Sequence, residues 1–248
     1  SANRSMVMSA QSWSYQLTGN MGNIRSSNAD VVVVDADNSG SAAQFKSKPG
    51  GGRRAAIAYL AVGEAEKWRP YWKSCCSGSQ PSWLTYSTQG WAGNYVVKFW
   101  EPGWKAIVQQ RGREIFAKGY DGLYLDRIDT WERTGNKAQM IQFIKEISAQ
   151  ARGIKGDAAI MVQNGEELLD NDGYVSAIDA IAKEDLFHGV KHDGGRNPAS
   201  MVSGSIQLLN RAKSRGKKIF VVEYLSGSTA SSVAAEIRKQ GFVPNFAG

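Results

Sequence analysis

Ten residues of this sequence stand at or just beyond the ends of apolar runs, and most of them carry carboxyl groups: Asp35, Glu64, Glu66, Lys98, Asp126, Asp129, Asn164, Glu184, Glu223, Tyr224. Crowded carboxylates repel one another, so we expect at least one of them to have a raised pKa. Hydrolysis of a glycosidic bond is a reaction that uses two carboxyl groups and needs neither a metal nor a cofactor. One protonates the leaving oxygen, and the other attacks the sugar or activates water.

Eight near-continuous apolar runs predict buried parallel strands that would carry these residues: Trp13–Leu17, Val31–Asp35, Ala56–Val62, Tyr95–Phe99, Gly122–Asp126, Ala159–Gln163, Ala180–Glu184, Ile219–Tyr224. Eight strands with helical crossovers favour a closed (β/α)₈ TIM barrel over an open sheet. The carboxyl ends of all barrel strands meet on one face, which would gather the polar residues there. We expect residues 11–248 to form this single domain and residues 1–10 to be a flexible N-terminal segment.

Helical periodicity fills several gaps between the runs. Apolar residues three and four apart predict helices through Trp104–Ile115, Met140–Ala151, Val202–Leu209 and Val233–Ile237. A glycine follows each pattern closely, as expected at a helix end: Gly119, Gly153, Gly216, Gly241. The alternation of strands and helices is typical of an α/β protein.

Other catalytic chemistries fit the sequence less well. His188 and His192 are the only histidines, and the glycines around them favour a loop over a metal-binding helix face. No GxSxG elbow, GxGxxG or phosphate-binding loop occurs, so we expect neither a serine triad nor a nucleotide cofactor. We therefore expect no cofactor and no metal. Cys75 and Cys76 are adjacent and could be free thiols or a strained vicinal disulfide.

The net charge of +7 raises the question of a polyanionic partner. The basic residues are scattered, however, and Arg53-Arg54 and Lys217-Lys218 are pairs rather than a basic tract. We therefore expect no nucleic-acid partner. No apolar run is long enough to cross a membrane, which needs about 18 residues. A polysaccharide is the partner that the carboxylates favour.

Aromatic residues near the same loops fit stacking against sugar faces, with core packing as the alternative for each: Tyr59, Trp68, Tyr71, Trp72, Trp83, Trp91, Trp100, Tyr224. Core packing is the stronger interpretation for Tyr59, which lies inside a predicted strand. The residues of the loop from Lys67 to Trp91 are better stacking candidates, because that segment is polar and rich in glycine and serine.

The chain resembles glycoside hydrolase family 114, the endo-α-1,4-polygalactosaminidases, almost along its whole length. The segments that carry the resemblance are Trp13–Leu17, Val31–Asp35, Tyr59–Glu66 with Tyr71-Trp72, Val97–Trp100, Gly119–Asp129, Gln163-Asn164, Glu184–Phe187 and Val222–Tyr224. The GEAE and YDGLYLDxxD motifs are specific in combination. The resemblance implies a (β/α)₈ barrel whose catalytic acids follow strands five and seven, at positions matched here by Asp126 and Glu184.

The resemblance further implies a retaining mechanism, with Asp126 as nucleophile and Glu184 as acid/base. The substrate would be α-1,4-linked galactosamine and N-acetylgalactosamine exopolysaccharide of microbial biofilms, and the enzyme would be secreted or periplasmic. We expect the substrate to contact Asp35, Glu64, Glu66, Tyr71, Lys98, Tyr124, Asp129, Asn164, Glu223 and Tyr224. An acidic cleft would attract the amine cations of such a polymer.

Two alternatives remain beside an endo-acting glycosidase. The chain could be a barrel that binds polysaccharide without cutting it, although the presence of both Asp126 and Glu184 favours the enzyme. It could also be a polyanion-binding protein, which would need a continuous basic groove that the scattered lysines and arginines do not support. We expect a monomer.

Overall fold

The computed structural model describes residues 2–247. Ser1, at the start of the predicted N-terminal segment, and Gly248, at the end of the predicted barrel domain, lie outside the described residues. The strands in this range are β1 (Trp13–Tyr15), β2 (Val31–Val34), β3 (Ala55–Ala61), β4 (Glu64–Glu66), β5 (Leu84–Ser87), β6 (Asn94–Val97), β7 (Gly122–Asp126), β8 (Ala159–Gln163), β9 (Ala180–Glu184), β10 (Lys218–Glu223) and β11 (Val243–Phe246). Eight of them pair in parallel in the order β1–β2–β3–β7–β8–β9–β10–β11. The predicted single-domain TIM barrel is confirmed.

The barrel is nearly closed where its first and last strands approach each other. The indole Nε1 of Trp13 on β1 donates to the backbone oxygens of Val221 (3.2 Å) and Val243 (3.1 Å) on the far side. The indole N–H is the only donor of this buried side chain, and both of its acceptors lie across the gap. Trp13 therefore joins the two ends of the sheet without a ladder of backbone hydrogen bonds.

One predicted barrel strand is wrong. The run Tyr95–Phe99 belongs to β6, which pairs antiparallel with β4 and β5 in a separate three-stranded sheet inserted between β3 and β7. The eighth barrel strand is β11 instead, at the C-terminal end of the described chain. Asp126 and Glu184 consequently follow the fourth and sixth barrel strands, not the fifth and seventh. An apolar run of this length has the same composition in either kind of sheet, because only the pairing partner distinguishes them.

Helices cover the outside of the barrel: α1 (Ala2–Met8), α2 (Gly22–Ser26), α3 (Ala36–Ser39), α4 (Trp72–Cys75), α5 (Pro102–Ala117), α6 (Trp131–Thr134), α7 (Lys137–Ile154), α8 (Asp172–Ala177), α9 (Ala199–Ser214) and α10 (Gly227–Lys239). The four predicted helices are confirmed as α5, α7, α9 and α10. Gly119, Gly216 and Gly241 follow three of them with positive φ, whereas Gly153 lies inside the last turn of α7.

Two hydrophobic layers hold the barrel, and the alternation of side chains along each strand separates them. On β2, Val31 and Val33 point into the barrel, whereas Val32 and Val34 pack beneath the helices. Inside the barrel Trp13 and Tyr124 stack with ring centroids 6.3 Å apart. Burying each such ring stabilises the fold by a few kcal/mol, roughly the upper end of the range for one large apolar side chain.

The N-terminal segment differs from its prediction. Residues Ala2–Met8 form α1, whose Val7 is fully buried with the residues of the barrel interior. Arg4 on the same helix forms a 2.8 Å ion pair with Asp179. The helix therefore packs on the barrel, where a flexible segment was expected. Helix α1 has seven residues, and Val7 is its one buried apolar side chain. The sequence therefore has little apolar periodicity from which this helix could be predicted.

Candidate active site

A cleft of about 780 Å³ opens at the carboxyl ends of the barrel strands. Its walls come from the end of β1 and the loop after it, from the ends of β7, β8, β9 and β10, and from the residues at the end of β11. Side chains from both predicted catalytic acids, Asp126 and Glu184, line it. The residue that reaches the cleft from outside the barrel is Trp91, in the turn between β5 and β6.

Three consecutive barrel strands are followed by a residue with the same unusual backbone conformation. The residue directly after each of β7, β8 and β9 is a non-glycine in the left-handed region: Arg127 (φ 61°), Asn164 (φ 57°), Asp185 (φ 56°). Such a residue costs about 1 kcal/mol or more, so it occurs where the surrounding structure requires it. The turn directs the chain away from the strand at once, and it leaves the last strand residue in the cleft wall: Asp126, Gln163, Glu184.

Asp126 is buried at the end of β7 and accepts two hydrogen bonds. The hydroxyl of Tyr59 donates to its Oδ2 (2.5 Å), and the backbone N–H of Arg127 donates to its Oδ1 (2.7 Å). The guanidinium of Arg127 lies 3.7 Å from the same carboxyl group. Burial raises the pKa of Asp126 to about 6, against the opposing effects of Arg127 and the Tyr59 hydrogen bond. The group is therefore poised to change charge near neutral pH.

Glu184 is held differently at the end of β9. The hydroxyl of Tyr224 donates to its Oε2 (2.6 Å), and its backbone N–H donates to the side chain of Asn164 (2.9 Å). Burial raises the pKa of Glu184, and the neighbouring Asp185 adds to the rise while the Tyr224 hydrogen bond opposes it. Asp185 itself has its pKa raised to about 6, chiefly by burial. Arg127 thus opposes the pKa rise of both acids, whereas Asp185 adds to the rise of Glu184.

Glu64 lies behind the cleft and is fully buried, which corrects its predicted contact with substrate. Its carboxylate forms ion pairs with Arg127 (3.3 Å) and Arg133 (3.1 Å) and accepts hydrogen bonds from Thr88 (2.8 Å) and Asn94 (3.0 Å). Three hydrogen bonds and a further ion pair thus compensate the buried charge of this carboxylate. Glu64 therefore fixes the guanidinium beside Asp126 and anchors the β5–β6 turn to it.

Asp35 and Glu66 belong to a second buried cluster and do not reach the cleft either. Arg69 bonds to Asp35 (2.8 Å) and Asp37 (2.9 Å) through one nitrogen and to Glu66 (3.0 Å) through another. Burial raises the pKa of Glu66 to about 7, although Arg69 acts in the opposite direction. The hydroxyl of Tyr71, also predicted to bind substrate, accepts from the backbone N–H of Glu66 (2.8 Å). The cluster fastens the antiparallel sheet to the barrel.

Three further predicted residues lie away from the cleft wall. Glu223 is fully buried and accepts from the backbone N–H groups of Phe187 (3.0 Å) and His188 (3.1 Å). Tyr124 is buried in the barrel interior and donates to Gln163 (2.7 Å). Lys98 is exposed just after β6. None of these three is among the described residues that line the cleft.

The comparisons with known proteins identify the family and the fold. The profile of glycoside-hydrolase family GH114 matches residues 1–247. The chain belongs to family GH114. A Deinococcus radiodurans protein without assigned function is 31% identical over 96% of this chain and 80% of its own length. GH114 membership makes the chain a glycoside hydrolase, as predicted.

Two solved structures share the fold. The glycoside hydrolase domain of PelA from Pseudomonas aeruginosa superposes with a TM-score of 0.72 at 21% identity, over 95% of this chain and 93% of that one. Ega3 from Aspergillus fumigatus, solved in complex with galactosamine, gives 0.71 at 17% identity over 94% and 89% of the two chains. At these identities the likeness concerns the fold of this GH114 chain.

Five predicted residues of the GH114 chain meet in the cleft: Asp126, Asp129, Asn164, Glu184, Tyr224. The sequence analysis does not single out Tyr15 and Arg127, which line it too. Tyr15 closes β1, so examining the end of the first strand by the same rule as the others would have found it. Arg127 carries no such signal, because an arginine after a strand is usually a solvated surface residue.

Gly63, between β3 and β4, explains how the loop after β7 can sit so close to the barrel. A Cβ atom at this position would collide with the backbone oxygen of Arg127 and the side chain of Thr130. Only glycine admits this approach, so residue 63 determines where Arg127 stands relative to Asp126. Among residues 2–247 no group of three histidine, cysteine, aspartate or glutamate side chains is arranged to hold a metal ion. No helix there is long and apolar enough to cross a membrane.

Proposed function

We propose that this GH114 enzyme hydrolyses an α-1,4-linked exopolysaccharide of galactosamine and N-acetylgalactosamine within the chain, using Asp126 and Glu184. The observation that carries the proposal is the pairing of the two acids in one cleft, each bonded to a tyrosine hydroxyl. A phenol is a neutral donor, so it orients a carboxyl group without cancelling its charge. Such groups remain able to gain or lose a proton during the reaction.

The neighbours of the two acids support a division of roles. Arg127 stands beside Asp126 and favours its ionised form, which a nucleophile needs. Asp185 favours the protonated form of Glu184, which a general acid needs, against the individually weaker opposing effects of Arg127 and Lys183. In a retaining reaction Asp126 would attack the anomeric carbon while Glu184 protonates the leaving oxygen. Glu184 would then remove a proton from the water that hydrolyses the glycosyl ester.

The charges in the cleft support a cationic substrate. The protein carries a net charge of +7, yet the ionisable side chains lining the cleft include three carboxyl groups, those of Asp126, Asp129 and Glu184, and the single guanidinium of Arg127. Asp129 is half-buried in this wall. An amine of a deacetylated galactosamine unit would find a carboxylate partner there. Ega3, which has this fold, was solved with galactosamine bound.

The first experiment is to incubate the wild type with partly deacetylated α-1,4-galactosamine polymer and to analyse the products by mass spectrometry. We expect oligosaccharides of many lengths early in the reaction, as internal cleavage requires. Asp126→Asn and Glu184→Gln should release none, and Asp170→Asn, a surface aspartate paired with Lys137, should behave as wild type. Release of monosaccharide alone would contradict internal cleavage. Full activity of either catalytic-acid variant would contradict the assignment of residues.

Retention is tested separately by the anomeric configuration of the first product, observed by NMR. A retaining enzyme releases the α-anomer first, and a β-anomer would show direct attack by water. If the wild type binds the polymer and releases nothing from any galactosamine glycan, the chain is the polysaccharide-binding barrel that the sequence leaves as an alternative.

We also propose that the enzyme acts in a secreted or periplasmic setting as a monomer without nucleic-acid partners. The disulfide between Cys75 and Cys76 supports an oxidising compartment. Light scattering after gel filtration measures the mass, and a value of twice the chain mass would contradict the monomer. Free thiols at Cys75 and Cys76 in protein isolated from its natural source would contradict an oxidising compartment.

A further inference from the structure

The turn between β5 and β6 forms an unusual part of the cleft wall, because it comes from the small antiparallel sheet and not from the barrel. Its residue Trp91 lines the cleft and yet leaves 57% of its surface exposed. We propose that Trp91 is a stacking platform for a pyranose ring, in a subsite next to the point of cleavage. The proposal rests on the proposed function, since it assumes that a sugar chain occupies the cleft.

The turn that carries Trp91 is held by backbone and side-chain hydrogen bonds. The backbone N–H of Trp91 donates to the oxygen of Thr88, and the N–H of Asn94 donates to the oxygen of Trp91, both at 3.1 Å. The side chains of Thr88 and Asn94 are buried and both donate to Glu64. A platform fixed before the ligand arrives loses little conformational entropy on binding, which favours affinity.

Arg127 ties the indole ring to the catalytic acid. Its guanidinium lies over the Trp91 ring, with the central carbon 5.2 Å from the ring centroid. The same guanidinium is 3.7 Å from Asp126 and 3.3 Å from Glu64. One side chain therefore joins the ring, the proposed nucleophile and the buried anchor. The ring consequently belongs beside the reacting sugar and not at a remote part of the surface.

A pyranose of the galactose type suits this ring. Its axial 4-hydroxyl leaves a continuous C–H patch on one face, and such C–H groups pack against the electron-rich face of an indole. Burying an exposed tryptophan against the sugar also removes apolar area from water. The contact would contribute to binding the ground state and the transition state alike, so its loss should raise KM more than it lowers kcat.

Trp68 is a matched control for Trp91. It is also 57% exposed, it lies close to the same small sheet, and a guanidinium, that of Arg69, is 5.6 Å from its ring centroid. Unlike Trp91, it is not among the described residues that line the cleft. Any effect of simply removing an exposed indole should therefore appear equally in the two alanine variants.

The test measures calorimetrically how a galactosamine oligosaccharide binds to the inactive Asp126→Asn protein, with and without a second substitution. Adding Trp91→Ala should weaken binding about tenfold, equivalent to the loss of one stacking contact. Trp91→Phe should recover part of the affinity, and Trp68→Ala should leave it unchanged. In the active enzyme Trp91→Ala should raise KM with kcat nearly constant, and thermal melting should show that both alanine variants are folded.

Two outcomes overturn the proposal in distinguishable ways. If the wild type cleaves the polymer and Trp91→Ala matches Trp68→Ala in affinity and KM, the subsite is wrong while the proposed function stands. If the wild type neither binds nor cleaves the polymer, the proposed function fails and the subsite for this sugar fails with it.

Discussion

Replacing Tyr59 by phenylalanine should shift the acid limb of the pH–activity profile. The Tyr59 hydroxyl donates to Asp126 at 2.5 Å and stabilises the ionised carboxylate. A hydrogen bond to a charged group contributes about 1.5–3 kcal/mol, and one pKa unit corresponds to about 1.4 kcal/mol. Removing the donor favours the protonated form, so the pKa of Asp126, already raised to about 6, should rise by about 1 to 2 units. If Asp126 must be ionised to attack, activity in Tyr59→Phe should fall away at a higher pH than in wild type.

Tyr224→Phe is the matched control, since it removes the same kind of donor from Glu184. The pKa of Glu184 should rise as well. Its proposed role as general acid requires the protonated form, so in this variant the alkaline limb of the profile should move to higher pH. Tyr224 is 44% exposed, and water can replace its hydroxyl, so this shift should be smaller. The assay is kcat/KM on a soluble oligosaccharide across the pH range, which reports the free enzyme. A Tyr59→Phe profile shifted on its alkaline limb would mean that Asp126 delivers the proton and would refute the assignment of roles.

Three other variants test the supports of the site. Arg69→Ala should destabilise the fold by about 3–5 kcal/mol in denaturant titration, because it leaves Asp35 and Glu66 buried without this cation, and the loss should diminish at acid pH as they take up protons. Gly63→Ala should cost more than about 2 kcal/mol or lower kcat severely through its collision with the loop after β7, whereas Gly78→Ala, with open space around it, should be neutral. Asp129→Asn should weaken binding of the cationic polymer and reduce its dependence on salt, while exposed Glu132→Gln should not; a flat salt dependence in the wild type would contradict the cationic substrate.

Much of the fold is predictable from the sequence because barrel strands are buried on both sides. The four valines of β2 and the alternating interior of β3 read as strands without ambiguity. The run Tyr95–Phe99 is equally apolar, but it pairs with β4 and β5 within its own insertion. The segment Val243–Phe246 contains a proline and an asparagine and lacks that signal, although its backbone completes the barrel. Pairing is a property of distant segments, and composition alone does not report it.

The residues of the site, like the strands of the fold, were predictable from the sequence only in part. The rule that polar residues follow barrel strands correctly brings Asp126, Asn164 and Glu184 to one cleft. It fails for Glu64 and Glu66, which leave the barrel on β4 and turn inward to arginines. Those arginines come from far along the chain or from loops. Which carboxylates they neutralise therefore becomes visible only in three dimensions.

The partner of each carboxylate separates the proposed catalytic acids from the structural ones more sharply than position does. Glu64, Asp35 and Glu66 are all buried and all paired with guanidinium groups. None of these three side chains is among the described residues that line the cleft.

The carboxyl group of Asp126 is bonded instead by a phenol and a backbone amide, that of Glu184 by a phenol, and both residues line the cleft. Neutral donors fix the direction of a carboxyl group and leave its charge available to a cationic sugar or a developing positive anomeric carbon. Arg127 is the boundary between the two classes. Its guanidinium is paired with Glu64, so it lies near Asp126 without neutralising it fully. The buried Glu64 thus serves the cleft indirectly, by fixing the position of this cation beside the proposed nucleophile.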